Sequence, residues 1–207
     1  MNRPLVICDC DDVLLHMVSH FGDWLGEAHD LDFKLEGHNF IDAVRPKGGG
    51  DPLKGEEVWP LLQGFFDTEM GRQTPVPGAS ESLVALSEHA EIVILTNLVD
   101  EFRDARAQQL SRFGIDYPVH TNQGPKGTKA QSLLAEYAPT VAVFVDDLSN
   151  HHQSVAETAP EIWRLHMIAE PTIASNIPPA EHAHVRIDDW HEARRWIIDR
   201  ITEGEKA

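Results

Sequence analysis

A short apolar segment near the N-terminus ends in a group of acidic residues. Leu5 to Cys8 is apolar at every position, without the alternation that marks a half-exposed strand. Such a segment is typical of a strand in a parallel sheet, where both faces are buried. Asp9, Asp11 and Asp12 follow it directly. Because Asp9 and Asp11 are two residues apart in extended chain, they point the same way. The pattern predicts a buried strand with two carboxylates at its carboxyl end.

The second part of the chain, from residue 77 onward, alternates between helical and extended patterns. The predicted strands span residues 91–96, 117–121, 140–145 and 162–168, with a short one near Val185, and the predicted helices span residues 79–89, 100–113, 128–137, 151–159 and 189–201. Strands that alternate with helices predict a doubly wound parallel sheet, a Rossmann-like α/β fold.

The segment between the first strand and residue 75 interrupts this alternation. Apolar residues from 14 to 25 recur at helical spacing, and a second helix is predicted over residues 55–70. We therefore expect a small α-helical domain inserted after the first strand. The expected domains are a core of residues 1–16 and 75–207 and an insertion of residues 17–74.

The charge balance excludes some classes of partner. The chain has 17 Lys and Arg residues against 34 Asp and Glu residues, which gives a net charge of −17. Such a surface repels nucleic-acid polymers and anionic membranes. An anionic substrate would therefore need positive charge within the site itself.

The two cysteines, Cys8 and Cys10, lie too close in extended chain for a comfortable disulfide. A metal site built on this pair is also disfavoured, because soft-metal sites usually have more Cys or His ligands at set spacings. The chain shows no signal-peptide pattern and no apolar run of membrane-spanning length. We expect a cytoplasmic protein.

Chemically active side chains follow the other predicted strands. Thr96 ends the second strand of the core and Asn97 follows it, Lys126 precedes a helix, and Asp146 and Asp147 directly follow a later strand. Taken singly, each residue is typical of a helix cap, a solvated side chain or a turn. Ligands of open α/β sheets bind at the carboxyl ends of the strands. Together, these groups indicate a phosphoryl-transfer site.

The order of these groups resembles that of the haloacid-dehalogenase (HAD) superfamily, in its aspartyl-phosphatase branch. Four segments carry the resemblance: Asp9-Cys10-Asp11-Asp12-Val13, Leu95-Thr96-Asn97, Lys126 before a helix, and Val145-Asp146-Asp147-Leu148-Ser149-Asn150. The resemblance covers the α/β core, and the insertion is similar to the helical cap that this family places after its first strand, the C1 type. A weaker similarity links the insertion to 5'(3')-deoxyribonucleotidases.

The resemblance implies a role for each catalytic residue. Asp9 would attack phosphorus and form an aspartyl-phosphate. Asp11 would protonate the leaving oxygen and later deprotonate water. Thr96, Asn97 and Lys126 would bind the phosphoryl group, with Lys126 neutralising its charge.

The resemblance also implies a Mg²⁺ site, since Mg²⁺ prefers oxygen ligands. Asp9, the carbonyl of Asp11 and Asp146 would hold the ion. Asp147 would bind it through water or orient Lys126. Two further residues of the fourth segment would complete the outer shell: Ser149 and Asn150. Lys129 is an alternative to Lys126 as the phosphate-binding lysine, and Lys126 is preferred because it precedes the helix.

Three alternatives differ in what they require. A response-regulator receiver has Thr and Lys after its acidic groups, whereas Lys126 precedes Asp146 here. A dehalogenase of the same superfamily needs the nucleophile but not the second acid, Asp11. A non-catalytic phosphate- or metal-binding protein on this scaffold would lack a catalytic residue, and none is missing. We therefore expect a phosphatase of a small phosphate ester. Nucleotides and sugar phosphates both remain open as substrates, and the sequence does not indicate the oligomeric state.

Overall fold

The computed structural model describes residues 2–35 and 40–204. Residues 1, 36–39 and 205–207, which belong to the two expected domains, lie outside the described residues. The strands are β1 (Leu5–Cys8), β2 (Leu31–Phe33), β3 (Val44–Pro46), β4 (Glu91–Thr96), β5 (Val119–Thr121), β6 (Ala142–Asp146), β7 (Trp163–His166) and β8 (Val185–Arg186). The α-helices are α1 (Val18–Ala28), α2 (Gly55–Thr68), α3 (Ala79–Ser87), α4 (Arg103–Ser111), α5 (Gly127–Tyr137), α6 (Ser149–Thr158), α7 (Pro171–Ala174) and α8 (Trp190–Gly204). Single 3₁₀ turns precede β3, follow α2 and precede α4.

The core is a six-stranded parallel sheet in the order β5-β4-β1-β6-β7-β8. The apolar strand β1 lies between β4 and β6, where Cys8 pairs with Ile94 and Val145. Val6 and Cys8 belong to one hydrophobic cluster, and Leu5 and Ile7 to another, so each face of the strand is buried. The predicted doubly wound parallel α/β fold is confirmed.

The loop after β1 turns tightly around Cys10. The amide nitrogens of Leu14 and Leu15 both donate to the carbonyl of Cys10, at 2.8 and 3.0 Å. Asp12 takes a left-handed conformation with φ of 56°. Its carboxylate accepts the amide hydrogen of Val18 at 3.1 Å, so Asp12 satisfies a free N–H at the start of α1. The same loop therefore holds the acidic residues and starts the insertion.

The insertion contains more than helices. Between α1 and α2, strands β2 and β3 form a two-stranded antiparallel sheet, which the sequence pattern did not predict. The helical spacing from residue 14 was also misleading, because α1 begins at Val18 and Leu14 belongs to the core of the main sheet. The insertion's own apolar cluster extends onto the main domain through Leu98 and Ile168.

The aromatic side chains of the insertion pack against one another. Phe21 is fully buried, and its ring lies 5.7 Å from that of Phe40 in a stacked pair. Phe65, also fully buried, meets Phe21 edge to face at 5.5 Å. Trp59 is instead 53% exposed. Most of this aromatic surface therefore stabilises the insertion itself.

The C-terminal helix α8 supports the loop after β1. Trp190, at its start, is buried and donates its indole N–H to the carbonyl of Val13 at 2.8 Å. The short helix α7 lies between the strand predicted over residues 162–168 and the one near Val185, where no helix was predicted. None of the described helices combines the length and apolar composition that crossing a membrane requires.

Candidate active site

A buried lysine lies between two carboxylates at the carboxyl ends of β1 and β6. The Nζ atom of Lys126 is 2.6 Å from Oδ1 of Asp9 and 2.7 Å from Oδ2 of Asp146. The lysine is 1% exposed and Asp9 is 5% exposed, so water screens these charges little. The second oxygen of Asp146 accepts the amide hydrogen of Leu148 at 2.9 Å. Residues that are far apart in sequence thus lie together at the carboxyl ends of the strands, where we expected them.

A third carboxylate, that of Asp147, joins this group. Ligand oxygens of Asp9, Asp146 and Asp147 all lie within 4.8 Å of one another. Burial, opposed by Lys126, raises the pKa of Asp9 to about 7. Burial and the Asp146 carboxylate raise the pKa of Asp147 well above its usual range. Burial also acts to raise the pKa of Asp146, but the charge and hydrogen bond of Lys126, together with smaller contributions from neighbouring groups, outweigh it and lower that pKa. One ammonium therefore does not compensate three carboxylates, and the donor set fits a hard divalent cation.

Two buried histidines fix the backbone of the Asp146-Asp147 turn. Nδ1 of His166 accepts the amide hydrogen of Ala180 at 3.1 Å, so Nε2 carries the proton and donates to the carbonyl of Asp147 at 2.8 Å. His152 bonds the carbonyl of Asp146 through Nε2 at 2.9 Å. Burial lowers the pKa of both histidines, which keeps them neutral near pH 7. These supports were not predicted, because scattered histidines are usually surface residues.

Asp11 lies at the side of this group that faces the insertion. Its carboxylate accepts a hydrogen bond from Nε2 of Gln73 at 2.7 Å and pairs with Nη2 of Arg106 at 3.0 Å. The hydroxyl of Thr96 is 3.4 Å from the other oxygen of Asp11. Asp11 is half-buried, whereas Thr96 is fully buried. Gln73 and Arg106 were not predicted as site residues, and only tertiary structure shows that Arg106 faces inward from α4.

Asn97 lies at the rim of the site. It is exposed, and its side-chain amide donates to the carbonyl of Gly124 at 3.0 Å and approaches Nε2 of His151 at 3.3 Å. Asn122 donates to the Asn97 side-chain oxygen at 2.8 Å. These bonds tie the loop after β4 to the loop that carries Lys126.

The two candidate lysines differ in their surroundings. Lys126 is buried against the carboxylates, whereas Lys129 is half-buried within α5. The chain enters α5 through Gly127, where an added Cβ would overlap the carbonyl oxygen of Ser154 in α6. Close packing of α5 on α6 therefore requires glycine directly after the lysine that meets Asp9.

The predicted outer-shell residues lie in the first turn of α6. Ser149 is half-buried and Asn150 is exposed. Within the described part of the chain, neither side chain makes a hydrogen bond to the carboxylate group. Their assignment to the metal's outer shell stays a prediction.

The geometry provides three chemical functions at one edge of the sheet. Asp9 offers a carboxylate oxygen as nucleophile beside a fixed ammonium. Asp11 offers a second carboxyl group on the same loop, within reach of a hydroxyl at the end of β4. Asp146 and Asp147 complete an oxygen-rich site for a cation. Such a site suits the transfer of an anionic group to Asp9.

Comparison with solved structures gives many hydrolases of the HAD-like superfamily. A predicted phosphoglycolate phosphatase from Haemophilus somnus has a TM-score of 0.64 at 17% identity, over 93% of this chain and 97% of that chain. The HAD hydrolase YfnB from Bacillus subtilis, described as bound to magnesium, has a TM-score of 0.64 at 11% identity, over 95% and 99% of the two chains. A haloacid dehalogenase-like hydrolase from Burkholderia xenovorans has a TM-score of 0.60 at 14% identity, over 97% and 99%.

These proteins are similar to the chain in structure, but not detectably in sequence. No protein-family model matches the chain, and no curated protein matches it significantly in sequence. The aligned structures nevertheless cover nearly the whole of both chains, the insertion included. The chain therefore has the fold of the haloacid-dehalogenase-like hydrolases.

Proposed function

We propose that this protein is a Mg²⁺-dependent phosphomonoester hydrolase that acts through an aspartyl-phosphate. The observation that carries the proposal is the group formed by the buried residues Asp9, Lys126 and Asp146 and the half-buried Asp147. Asp11 lies beside this group, on the same loop as Asp9. The fold of HAD-like hydrolases, among them a predicted phosphoglycolate phosphatase, supports the reaction class. It does not by itself separate phosphatases from dehalogenases.

The proposed reaction has two displacements at phosphorus. In the first, an oxygen of Asp9 forms a bond to phosphorus while the bond to the leaving oxygen breaks, and Asp11 gives that oxygen its proton. In the second, Asp11 takes a proton from water, the water oxygen bonds to phosphorus, and the bond to Asp9 breaks. Lys126 holds the phosphoryl oxygens by charge, and the Thr96 hydroxyl donates to them.

The carboxylates fit Mg²⁺. Asp9, Asp146 and Asp147 would hold the ion, and when bound it supplies positive charge that stabilises the transferring phosphoryl group. This set gives Asp147 a direct role rather than one through water, because its ligand oxygen lies within 4.8 Å of those of Asp9 and Asp146. The carbonyl of Asp11 remains a proposed fourth ligand. Burial and the neighbouring carboxylates, which raise the pKa of Asp147, disfavour its negative charge when no cation is bound.

The proposed substrate is the phosphate ester of a small molecule. The net charge of −17 disfavours nucleic-acid polymers. Phe21 and Phe65 are fully buried against each other and offer no free face to a nucleotide base in this arrangement. A nucleotide substrate would have to be recognised by other residues.

The test is phosphate release from 4-nitrophenyl phosphate with Mg²⁺ and with EDTA, in the wild type and in Asp9→Asn. We expect release that requires both Mg²⁺ and Asp9. The two lysines provide a matched pair: Lys126→Met should lose activity, and Lys129→Met should retain it. Halide release from 2-haloacids, without phosphate release, would instead identify a dehalogenase. A folded protein without either activity would support the non-catalytic binding protein.

A further inference from the structure

A buried arginine contacts the proposed acid and base. Arg106, on α4, is 0% exposed. Its Nη2 lies 3.0 Å from Oδ1 and 3.3 Å from Oδ2 of Asp11, and its Nη1 donates to Sγ of Cys10 at 3.0 Å. An arginine is rarely buried unless it is paired, and here its partner is a functional carboxylate. Arg106 thus forms hydrogen bonds with two consecutive residues of the loop after β1, Cys10 and Asp11.

A second contact reaches Asp11 from the end of the insertion. Gln73 is 1% exposed and donates to Oδ1 of Asp11 at 2.7 Å. The guanidinium carbon of Arg106 lies over the ring of Phe66, on α2, 5.6 Å from the ring centroid. Asp11 is therefore held between α4 of the core and the returning segment of the insertion, with donors on both sides.

We propose that Arg106, assisted by Gln73, is a positioning residue that sets where the Asp11 carboxyl group lies relative to the leaving oxygen. This inference rests on the proposed function. A free aspartate side chain has several rotamers, and a planar guanidinium that contacts both carboxylate oxygens selects one of them. Proton transfer requires that the carboxyl group lie within hydrogen-bond distance of the leaving oxygen, so a misplaced Asp11 protonates it poorly.

If Arg106 positions Asp11 for proton donation, the activity lost in an Arg106 variant should depend on the leaving group of the substrate. In the first displacement, the bond from Asp9 to phosphorus forms, the bond to the leaving oxygen breaks, and the proton of Asp11 goes to that oxygen. A nitrophenolate leaves readily without this proton, whereas a more basic phenolate needs it. Loss of positioning should therefore harm substrates with basic leaving groups most. General damage to the fold should harm all substrates alike.

The experiment measures kcat/KM with Mg²⁺ for 4-nitrophenyl, phenyl and 4-methoxyphenyl phosphates, since kcat/KM reports the steps up to release of the phenol. For Arg106→Gln, we expect the loss with phenyl phosphate to exceed the loss with 4-nitrophenyl phosphate by about tenfold or more. Arg106→Lys should recover part of that difference. Adding Arg106→Gln to Asp11→Asn should produce little further loss, because both changes remove the same function.

Arg164 provides the matched control. It is also a buried arginine, but it donates to the backbone carbonyls of Pro160, Ile162 and His182, away from Asp11. Arg164→Gln should lower stability and leave the ratio between substrates unchanged. If Arg106→Gln does not fold, Gln73→Leu carries the test, with the same pattern and a smaller loss.

The outcomes separate the inference from the proposed function. A wild type without Asp9-dependent phosphate release overturns both. An active wild type whose Arg106→Gln variant loses the same factor with every substrate, or whose loss adds fully to that of Asp11→Asn, overturns the positioning role alone. A loss that grows with the basicity of the leaving group supports it.

Discussion

Replacing the proposed nucleophile should stabilise the metal-free protein at alkaline pH. Asp9 is buried beside Asp146 and Asp147, and Lys126 is the ammonium that faces this group. Burial raises the pKa of Asp9 from 3.8 to about 7. Because the folded-state pKa exceeds the unfolded one, the unfolded chain releases this proton first. Asp9 therefore destabilises the folded state increasingly as pH rises from about 4 to about 7, and constantly above it.

The size of the effect follows from the same shift. One pKa unit corresponds to about 1.4 kcal/mol, so a rise of about three units destabilises the folded protein by about 4 kcal/mol above pH 7. Asparagine has nearly the shape of the protonated aspartic acid and carries no charge. The free energy of unfolding of Asp9→Asn should thus exceed that of the wild type by about 4 kcal/mol at pH 8. At pH 5, where Asp9 of the folded wild type keeps its proton, the difference should be less than about 2 kcal/mol.

Urea unfolding in EDTA at pH 5, 6.5 and 8, followed by circular dichroism, measures this difference. Addition of Mg²⁺ should then raise the stability of the wild type more than that of Asp9→Asn and narrow the gap, because the ion binds the folded state. Equal stabilities of the two proteins at pH 8 in EDTA, or a difference that does not change with pH, would refute the reasoning. A gain in stability with a loss of turnover is typical of catalytic residues.

Three further predictions concern the surroundings of the site. Gly127→Ala should destabilise the protein by about 1–3 kcal/mol, since its Cβ would overlap Ser154, whereas Gly71→Ala, with open space around it, should change urea unfolding little. Glu170 lies 3.2 Å from His16 and raises its pKa above 6.5, while hydrogen bonds outweigh burial and lower the pKa of Glu170 to about 2. His16→Gln should therefore cost about 1–2 kcal/mol in urea unfolding at pH 6 and progressively less as pH rises through the pKa of His16. Dialysis against EDTA should abolish turnover and lower the melting temperature. Adding Mg²⁺ should restore both properties, whereas a monovalent salt, the control, should restore neither.

The main sheet could be predicted because its strands are continuous apolar runs between polar segments. The strand predicted over residues 91–96 has the bounds of β4, and the other core strands shift by a few residues at most. Apolar periodicity reports burial directly, and burial on both faces is the property of a parallel sheet. The positions of Asp9, Thr96 and Asp146 follow, because they end three neighbouring strands.

The contacts around Asp11 could not be predicted in this way. Arg106 is 95 residues from Asp11, and in the sequence it is one more charged residue of a polar helix. Gln73 stands in a segment without periodicity. Such pairs depend on how α4 and the insertion approach the loop after β1, which no local pattern records. The two-stranded sheet was missed for a related reason, since strands of three residues are too short to show alternation.

Asp12 shows how local chemistry can be correct and its surroundings wrong. Aspartate is common at helix starts, and the carboxylate of Asp12 does bond the amides at the start of α1. It is nevertheless 1% exposed, and burial raises its pKa to about 7. The sequence indicates the hydrogen-bonding preference of aspartate at a helix start, but not the depth at which that helix begins.

The two chain segments that join the insertion to the core run side by side. Leu15 and Pro75 form an antiparallel bridge, with the amide of His16 bonded to the carbonyl of Thr74 at 2.9 Å and that of Val76 to the carbonyl of Leu14 at 2.9 Å. The chain thus leaves the core and returns to it at adjacent, paired positions. A tight turn would be long enough to join these two positions directly. Because backbone hydrogen bonds close this junction on the core side, we expect that replacing the insertion with a short turn would leave β1 and the main sheet in place.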